Sequence, residues 1–175
     1  MIENEKILLR PITRDDTTNI LNWRNNPNVR KNFCFQEDFT VELHENWLKN
    51  QIQTGNTKQF IIFSKQLSKD IGSTFIRDID FNNKKGEFGI FIGVDDCRGL
   101  GLGYEATKLT TEYAFTELKL NKVFLRVFSD NLASINTCKK AGYFEEGLFK
   151  KDIITKDGEY RDLIFMAQFG DQHEN

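Results

Sequence analysis

The pattern of apolar and polar positions predicts short strands and amphipathic helices in the first part of the chain. An apolar run at Ile7–Ile12 predicts a strand. The capping residues after it predict a helix that Pro27 ends by Asn26, because the residue before a proline disfavours helical geometry. Thr40 can cap a second helix, which the apolar spacing after it predicts and which Gly55 stops. Two further strands are predicted, at Phe60–Ser64 and Ile71–Phe81.

In the second half of the chain the pattern alternates between strands and helices. Apolar and β-branched residues predict a strand at Glu87–Val94, in which Gly89 and Gly93 allow a bulge or a close approach to the backbone. A helix follows, and its predicted apolar face consists of Leu102, Ala106, Leu109 and Tyr113. The remaining predicted elements are a strand at Lys122–Phe128, a helix capped by Asn131, and a hairpin of Tyr143–Phe149 and Tyr160–Phe169.

This mixed order predicts an α+β (mixed α/β) fold rather than a doubly wound one. The chain has 175 residues, 39% hydrophobic and 29% charged, without a linker-like stretch. We therefore expect one domain over residues 1–170 and a polar C-terminal tail at residues 171–175.

Charge and hydropathy exclude several kinds of partner. The formal charge is -2, from 24 Lys and Arg against 26 Asp and Glu, so the basic excess typical of nucleic-acid binding is absent. No apolar run approaches the ~18 residues of a membrane span, and the first residues lack the order of a secretion signal. We expect no nucleic acid, no membrane partner and a cytoplasmic location.

The cysteine and histidine positions do not favour a metal site or a disulfide framework. The three cysteines, Cys34, Cys97 and Cys138, form no CxxC pair, and the only histidines are His44 and His173. We therefore expect no metal.

A glycine-rich loop between the predicted strand and helix is suited to anions. Its sequence is Arg98-Gly99-Leu100-Gly101-Leu102-Gly103. Glycines let a backbone approach oxygens closely, and the first amides of a helix have no internal acceptor. A P-loop is excluded because Tyr104 stands where Lys and Ser or Thr are needed. A dinucleotide site lacks the acidic residue about 20 positions further on. A tight turn without a ligand remains an alternative.

Two motifs together carry a family resemblance. Arg98-x-x-Gly101-x-Gly103 resembles the pyrophosphate-binding motif of the GNAT superfamily of N-acetyltransferases, and Asn131 to Tyr143 resembles its capped helix. The resemblance implies acetyl-CoA as the acetyl donor. It also implies a GNAT-type acyl-CoA acyltransferase fold, in which about four helices flank a mostly antiparallel central sheet that is splayed at the coenzyme site.

The resemblance implies a coenzyme site made of three parts. Backbone groups of the strand would meet the pantetheine arm, the loop amides and Arg98 would hold the diphosphate, and the capped helix would line the coenzyme. The two lysines of that helix can also be read as solvated surface residues. The residues implied are Ile92, Val94, Arg98, Gly99, Leu100, Gly101, Leu102, Gly103, Tyr104, Asn131, Ser134, Asn136, Lys139 and Lys140.

One segment narrows the choice of acceptor substrate. Its sequence is Trp23-Arg24-Asn25-Asn26-Pro27-Asn28-Val29-Arg30. It resembles the branch of ribosomal-protein N-terminal, spermidine and pseudaminic-acid-pathway amino-sugar acetyltransferases, and most of all the last group. That similarity implies a UDP-linked 4-amino-4,6-dideoxy sugar as the acceptor. Charge and stacking would suit such a nucleotide-sugar. The candidate acceptor residues are Trp23, Arg24, Arg30, Phe33 and His44.

Other functions stay open from the sequence. A polyamine would want clustered carboxylates, and such a cluster is present at Glu37, Asp38, Glu42 and Glu45. A protein N-terminus is a further acceptor. A non-catalytic, regulatory acyl-CoA-binding protein is an alternative of another class. Sixteen phenylalanines hint at more apolar surface than one small core needs, so a homodimer is conceivable.

Direct transfer needs a neutral amine and a proton for the departing thiolate. Glu87 opens the strand where relatives in the superfamily use a carboxylate, and it is the candidate base. Cys138 stands where many members have a tyrosine. A thiol with a pKa of about 8.5 could donate the proton, although a buried cysteine more often serves as a small apolar residue.

Overall fold

A computed structural model describes residues 1–170. The predicted tail at residues 171–175 lies outside the described part. The strands are β1 (Ile2–Glu3), β2 (Ile7–Pro11), β3 (Lys58–Ser64), β4 (Lys69–Asp80), β5 (Lys85–Ile92), β6 (Lys122–Phe128), β7 (Phe144–Ile154) and β8 (Tyr160–Phe169). The helices are α1 (Thr17–Asn25), α2 (Pro27–Arg30), α3 (Val41–Trp47), α4 (Leu102–Thr116) and α5 (Leu132–Lys140).

The eight strands form one sheet in the order β1-β2-β3-β4-β5-β6-β8-β7. Neighbouring strands are antiparallel except β5 and β6, which run parallel. The predicted mixed α+β fold with a mostly antiparallel sheet is confirmed, and the described residues form five α-helices where about four helices were expected.

The sheet splays between β5 and β6. These strands pair over three positions only, from Lys85 with Lys122 to Glu87 with Phe124. Beyond Glu87, β5 continues along β4 to Ile92, while β6 continues along β8 to Phe128. The two halves of the sheet therefore diverge just after Glu87, and one edge of each strand is left without a strand partner.

Helix α4 packs across both halves of the sheet. Its first turns contribute Leu102 and Ala106 to a core cluster with β2 and β3 residues such as Leu9. Its last turns contribute Ala114 to a second cluster that includes Val123 of β6. A third cluster, formed by Ile12, Ile20, Trp23, Val29, Ile61 and Phe91, joins α1 and α2 to the sheet. These contacts fix the N-terminus of α4 beside the open end of β5.

The predicted elements are found, with differences at their ends. Pro27 follows the end of α1, as predicted, and it also begins a short helix, α2. At the first position of a helix its missing N–H costs nothing. Helix α3 runs on through a π-helical turn, Leu48–Ile52. The close approaches at Gly89 and Gly93 come from this chain's own rings. A Cβ at these positions would lie 2.2 Å from Phe75 and 2.1 Å from Trp23.

Among residues 1–170, no helix has both the length and the apolar character needed to cross a membrane.

Candidate active site

The loop before α4 presents a row of unpaired backbone amides. Gly99 and Gly101 have φ values of 77° and 76°, a left-handed conformation that glycine adopts with little strain. In the described residues, no acceptor takes the N–H groups from Gly99 to Tyr104, and the first helical bond is Glu105 N–H to the Gly101 carbonyl at 3.2 Å. Six amides at a helix N-terminus make a site for an anion, because the helix dipole adds to their partial positive charge.

Gly103 adds a second observation to this site. Its backbone has no positive φ, and a Cβ there would meet only Ile92 Cγ1, at an ordinary 3.9 Å. The fold itself therefore does not require glycine at this position. Close approach of a ligand to the amides would require it, so the loop fits the diphosphate of coenzyme A.

Arg98 does not point its donors at that loop in this structure. Its Nη2 lies 3.1 Å from the Ile92 carbonyl and 3.0 Å from Asp95 Oδ1. Asp95 also accepts from Asn28 and Asn26, and these bonds lower its pKa. To hold a diphosphate, as the sequence predicts, Arg98 would have to exchange these partners for it.

The strand end beyond Ile92 is also less free than expected. The amides of Gly93 and Val94 both donate to the Ile71 carbonyl, at 2.8 and 3.3 Å. The Ile92 carbonyl accepts from Arg98. A pantetheine arm that used the backbone of Ile92 and Val94 would displace Arg98 first.

Helix α5 has the predicted cap and an exposed polar face. The Asn131 side chain accepts from the Ser134 amide at 3.3 Å, so part of its capacity serves the helix. Asn136, Lys139 and Lys140 are exposed. Lys139 pairs with Glu145 of β7 at 2.7 Å. Lys140 has no ion pair among the described residues, which leaves it the freer of the two lysines to meet a phosphate.

Glu87 lies at the point of splay and is bound by two guanidinium groups. Its side chain is buried, and Arg77 and Arg126 each donate to it at 3.0 Å. Burial alone would raise the pKa of Glu87, but the hydrogen bonds from Arg126 and then Arg77 outweigh it, so the pKa is lowered. A carboxylate with a lowered pKa and occupied lone pairs is a poor base. The geometry fits Glu87 better as the anchor of two arginines.

Cys138 lies in the core instead of the cleft. It is 1% exposed and packs in the cluster with Ile135, Tyr143 and Met166. Burial raises its pKa to about 12, although a hydrogen bond with Ser134 opposes the shift. A thiol so buried does not reach a departing thiolate, so the structure does not support Cys138 as the proton donor.

The structure separates the five predicted acceptor residues into two groups. Trp23 is 7% exposed and packs under Gly93, and His44 is 1% exposed beside Thr17. Both are core residues, so the prediction that they touch substrate is not supported. Arg24, Arg30 and Phe33 are partly exposed and come together.

The acidic cluster predicted for a polyamine is mostly neutralised. Asp38 pairs with Arg30 at 2.8 Å, Glu45 pairs with Arg14, and Glu37 lies 3.9 Å from Lys156. Glu42 is the member of this cluster for which the described residues supply no ion pair. In one copy of this chain, these carboxylates do not form an open cation site.

Sequence reasoning missed Arg77 and Arg126, the partners of Glu87. Arg126 was visible as a charged residue on the predicted strand Lys122–Phe128. Its partnership with Glu87 depends on the register of β5 against β6, which pairs Glu87 with Phe124, two residues before Arg126. Arg77 lies directly opposite Glu87 in the β4–β5 register. Neither register could be derived from the chain alone.

An open cavity of about 910 Å³ in residues 1–170 lies away from this site, around Thr111, Phe115 and Gly170 near the end of α4. It contains none of the predicted site residues. Within the same residues, no group of three His, Cys, Asp or Glu side chains is placed to hold a metal.

Free amides at a helix N-terminus beside a splayed pair of strands define a protein that binds an anionic coenzyme in the opening of the sheet. Residues 6–143 match the family model described as "Acetyltransferase (GNAT) domain". The chain belongs to this family, and it is an N-acetyltransferase that uses acetyl-CoA.

Relatives and solved structures resemble the chain over almost its whole length. Spermidine N(1)-acetyltransferase of Escherichia coli strain K12 is 29% identical over 169 residues, which are 95% of this chain and 88% of that protein. The Vibrio cholerae enzyme of the same name is 27% identical over 91% of each chain. A crystal structure of spermidine N-acetyltransferase from Vibrio cholerae with CoA and spermine has a TM-score of 0.88 and 24% identity, covering 98% of this chain and 100% of the other.

A second structure of the Vibrio cholerae enzyme, described as dodecameric, has a TM-score of 0.81 and 26% identity, with 98% of each chain covered. A putative ribosomal N-acetyltransferase of Bacillus subtilis strain 168 is 29% identical over 96 residues, 55% of this chain and 51% of that protein. These comparisons include both spermidine and ribosomal acetyltransferases of the predicted branch.

Proposed function

We propose that this chain transfers the acetyl group of acetyl-CoA directly to a primary amine of a small molecule. The observation that carries this proposal is the row of free amides from Gly99 to Tyr104 beside the splay after Glu87. In the proposed reaction the α4 amides and Gly103 hold the diphosphate. The thioester then lies in the opening between β5 and β6.

The chemical step forms an amide and breaks a thioester. The neutral amine nitrogen attacks the carbonyl carbon, the C–S bond breaks, the amine loses a proton and the coenzyme thiolate gains one. Glu87 keeps Arg77 and Arg126 in place at the floor of the opening. With Cys138 buried, solvent water is the proposed carrier of both protons.

Two acceptor classes have support from different observations. The spermidine acetyltransferases among the relatives favour a polyamine, and they favour it over the amino sugar that the sequence alone put first. The arginines around the acceptor side favour an anionic amine such as an amino-sugar nucleotide, because a polycation would be repelled by them.

The three unpaired cysteines accord with the proposed cytoplasmic location.

A panel of amines tests the proposal. Release of free thiol from acetyl-CoA is measured with spermidine, an amino-sugar nucleotide and a peptide with a free N-terminus. We expect turnover with one of the first two and little with the peptide. If no amine releases thiol although coenzyme A raises the melting temperature, the proposed direct transfer to a small amine is wrong.

The Gly103→Ala variant serves as the control for the panel. It should fold and, at acetyl-CoA concentrations near or below the wild-type KM, should release much less thiol with every amine, because its methyl group occupies the space of the coenzyme. Thiol release at the wild-type rate under this condition would show that the reaction does not use the α4 site.

A further inference from the structure

Among residues 1–170, Arg24 is a cation without a counter-charge. Its guanidinium carbon lies 3.4 Å from the centre of the Phe33 ring and 5.0 Å from that of Phe39. No described residue gives it an ion pair or a hydrogen bond, and its Nη1 is buried without any partner. The guanidinium therefore makes cation–π contacts with two rings and has no hydrogen-bond acceptor among the described residues.

The charged groups around Arg24 do not neutralise it. Burial, and after it the nearby charges of Arg77 and Arg30, lower the pKa of Arg24 to about 10. Asp38 is bound by Arg30 at 2.8 Å. Glu87 is shared by Arg77 and Arg126, so neither carboxylate is left for Arg24.

The count of charges in this cluster leaves one cation over. Arg24, Arg30, Arg77 and Arg126 carry the positive charges. The carboxylates that contact them are Glu87, Asp38 and, at 3.7 Å from Arg77, Asp78. The Nε of Arg30 is also buried without a partner. Arg24 and Arg30, which both belong to the segment Trp23–Arg30, therefore each carry a buried donor without an acceptor.

A half-buried cation without an ion pair destabilises a fold, because its buried donors lose hydration and gain no compensating acceptor. A methionine would fill much of the same space between the two rings without that cost. The guanidinium needs an acceptor, and residues 1–170 do not supply one.

We propose that Arg24, together with Arg30, forms a subsite for an anionic group, a phosphate or a carboxylate, carried by the acceptor amine. This inference rests on the proposed transfer reaction and selects the anionic acceptor class over the polyamine. A forked guanidinium matches the oxygens of such a group, and the partly buried setting strengthens the contact. The amine of the same molecule then extends past Arg77 towards the splay at Glu87.

The test uses the whole chain saturated with coenzyme A, so that the α4 amides are already occupied. Inorganic pyrophosphate is titrated into this complex and its Kd is measured by calorimetry for wild type, Arg24→Met, Arg24→Lys and the control Arg14→Gln. Arg14 is an exposed arginine of the same N-terminal region, paired with Glu45. The melting temperature of each variant is measured without pyrophosphate.

We expect Arg24→Met to weaken pyrophosphate binding at least about tenfold, Arg24→Lys to weaken it less, and Arg14→Gln to leave it unchanged. Without the anion, Arg24→Met should melt at the wild-type temperature or above it. Binding equal in wild type and Arg24→Met, or no binding by wild type, would overturn the subsite. A melting temperature lowered by several degrees in Arg24→Met would also overturn it, because Arg24 would then serve the fold through its rings.

The amine panel separates this inference from the transfer reaction. If the enzyme releases thiol with spermidine but does not bind pyrophosphate, the proposed transfer reaction is supported and the proposed anion subsite is wrong. Thiol release with an anionic amine, with a KM raised by Arg24→Met and a nearly unchanged kcat, supports both.

Discussion

The chemistry of Glu87 and Cys138 depends on the residues around them more than on their own side-chain type. Glu87 resembled a general base in the sequence, but its two arginines hold it ionised and occupied. Cys138 resembled a proton donor, but it is a core residue. The identities of these residues were readable from the chain. Their surroundings were not, because they depend on strand register and packing.

Replacing Glu87 tests the anchoring role and its pH dependence. Glu87→Gln should lower the free energy of unfolding at pH 7 by about 2 kcal/mol, since charged hydrogen bonds to Arg77 and Arg126 are lost. Because the folded pKa of Glu87 is lowered, its stabilisation is present above the unfolded pKa and is lost as the pH falls through the folded one. The free energy of unfolding, measured with denaturant at several acidic pH values, should therefore fall more steeply with falling pH for wild type than for Glu87→Gln. Equal slopes would contradict the arginine clamp.

Replacing Cys138 separates packing from catalysis. Cys138→Ala should keep kcat within about twofold, and it should cost about 1 kcal/mol of stability, because a small buried group is removed. Steady-state thiol release and thermal unfolding measure the two effects. A loss of kcat that exceeds the loss of folded protein would restore the thiol to the mechanism.

At the scale of elements, local signals predicted the site scaffold well. Asn131 caps α5 as its type and position indicate, and β6 has the predicted bounds, Lys122–Phe128. Turn and cap chemistry acts over a few residues, so the chain shows it directly. The short elements α2 and β1 escaped because they have too few residues for a periodic pattern.

The glycines before α4 give a matched pair of substitutions. Gly101→Ala should cost about 1 kcal/mol, because alanine is strained at a positive φ. Gly103→Ala should leave the free energy of unfolding unchanged or slightly raised, since alanine favours a helix, and it should still weaken coenzyme A binding at least about tenfold. Calorimetric titration and thermal melting of both variants measure this. If Gly103→Ala binds coenzyme A with wild-type affinity, close approach of the diphosphate does not require glycine at this position.

At the scale of the whole molecule, β7 is an exposed apolar edge. It lies at the end of the sheet, and Phe144, Leu148, Phe149 and Ile154 are all exposed by 47% or more. Such an edge favours association with another chain. We therefore expect this chain to associate with further copies of itself, without restricting the assembly to the dimer that the sequence suggested.

Sedimentation or light scattering should therefore give a mass above the 20.4 kDa of one chain. Leu148→Lys should lower that mass, because it places a charge on the β7 edge. The control Phe81→Lys changes an exposed ring in the turn after β4 and should not. A wild type of one-chain mass would contradict the association, as would equal effects of the two variants.

The most direct test of the account is a crystal structure of the chain with coenzyme A. It should show the diphosphate oxygens within hydrogen-bond distance of the amides between Gly99 and Tyr104, with Gly103 facing the phosphates and the thiol in the splay beside Glu87. Coenzyme A in the cavity around Thr111 and Phe115, or phosphates away from the α4 amides, would contradict it.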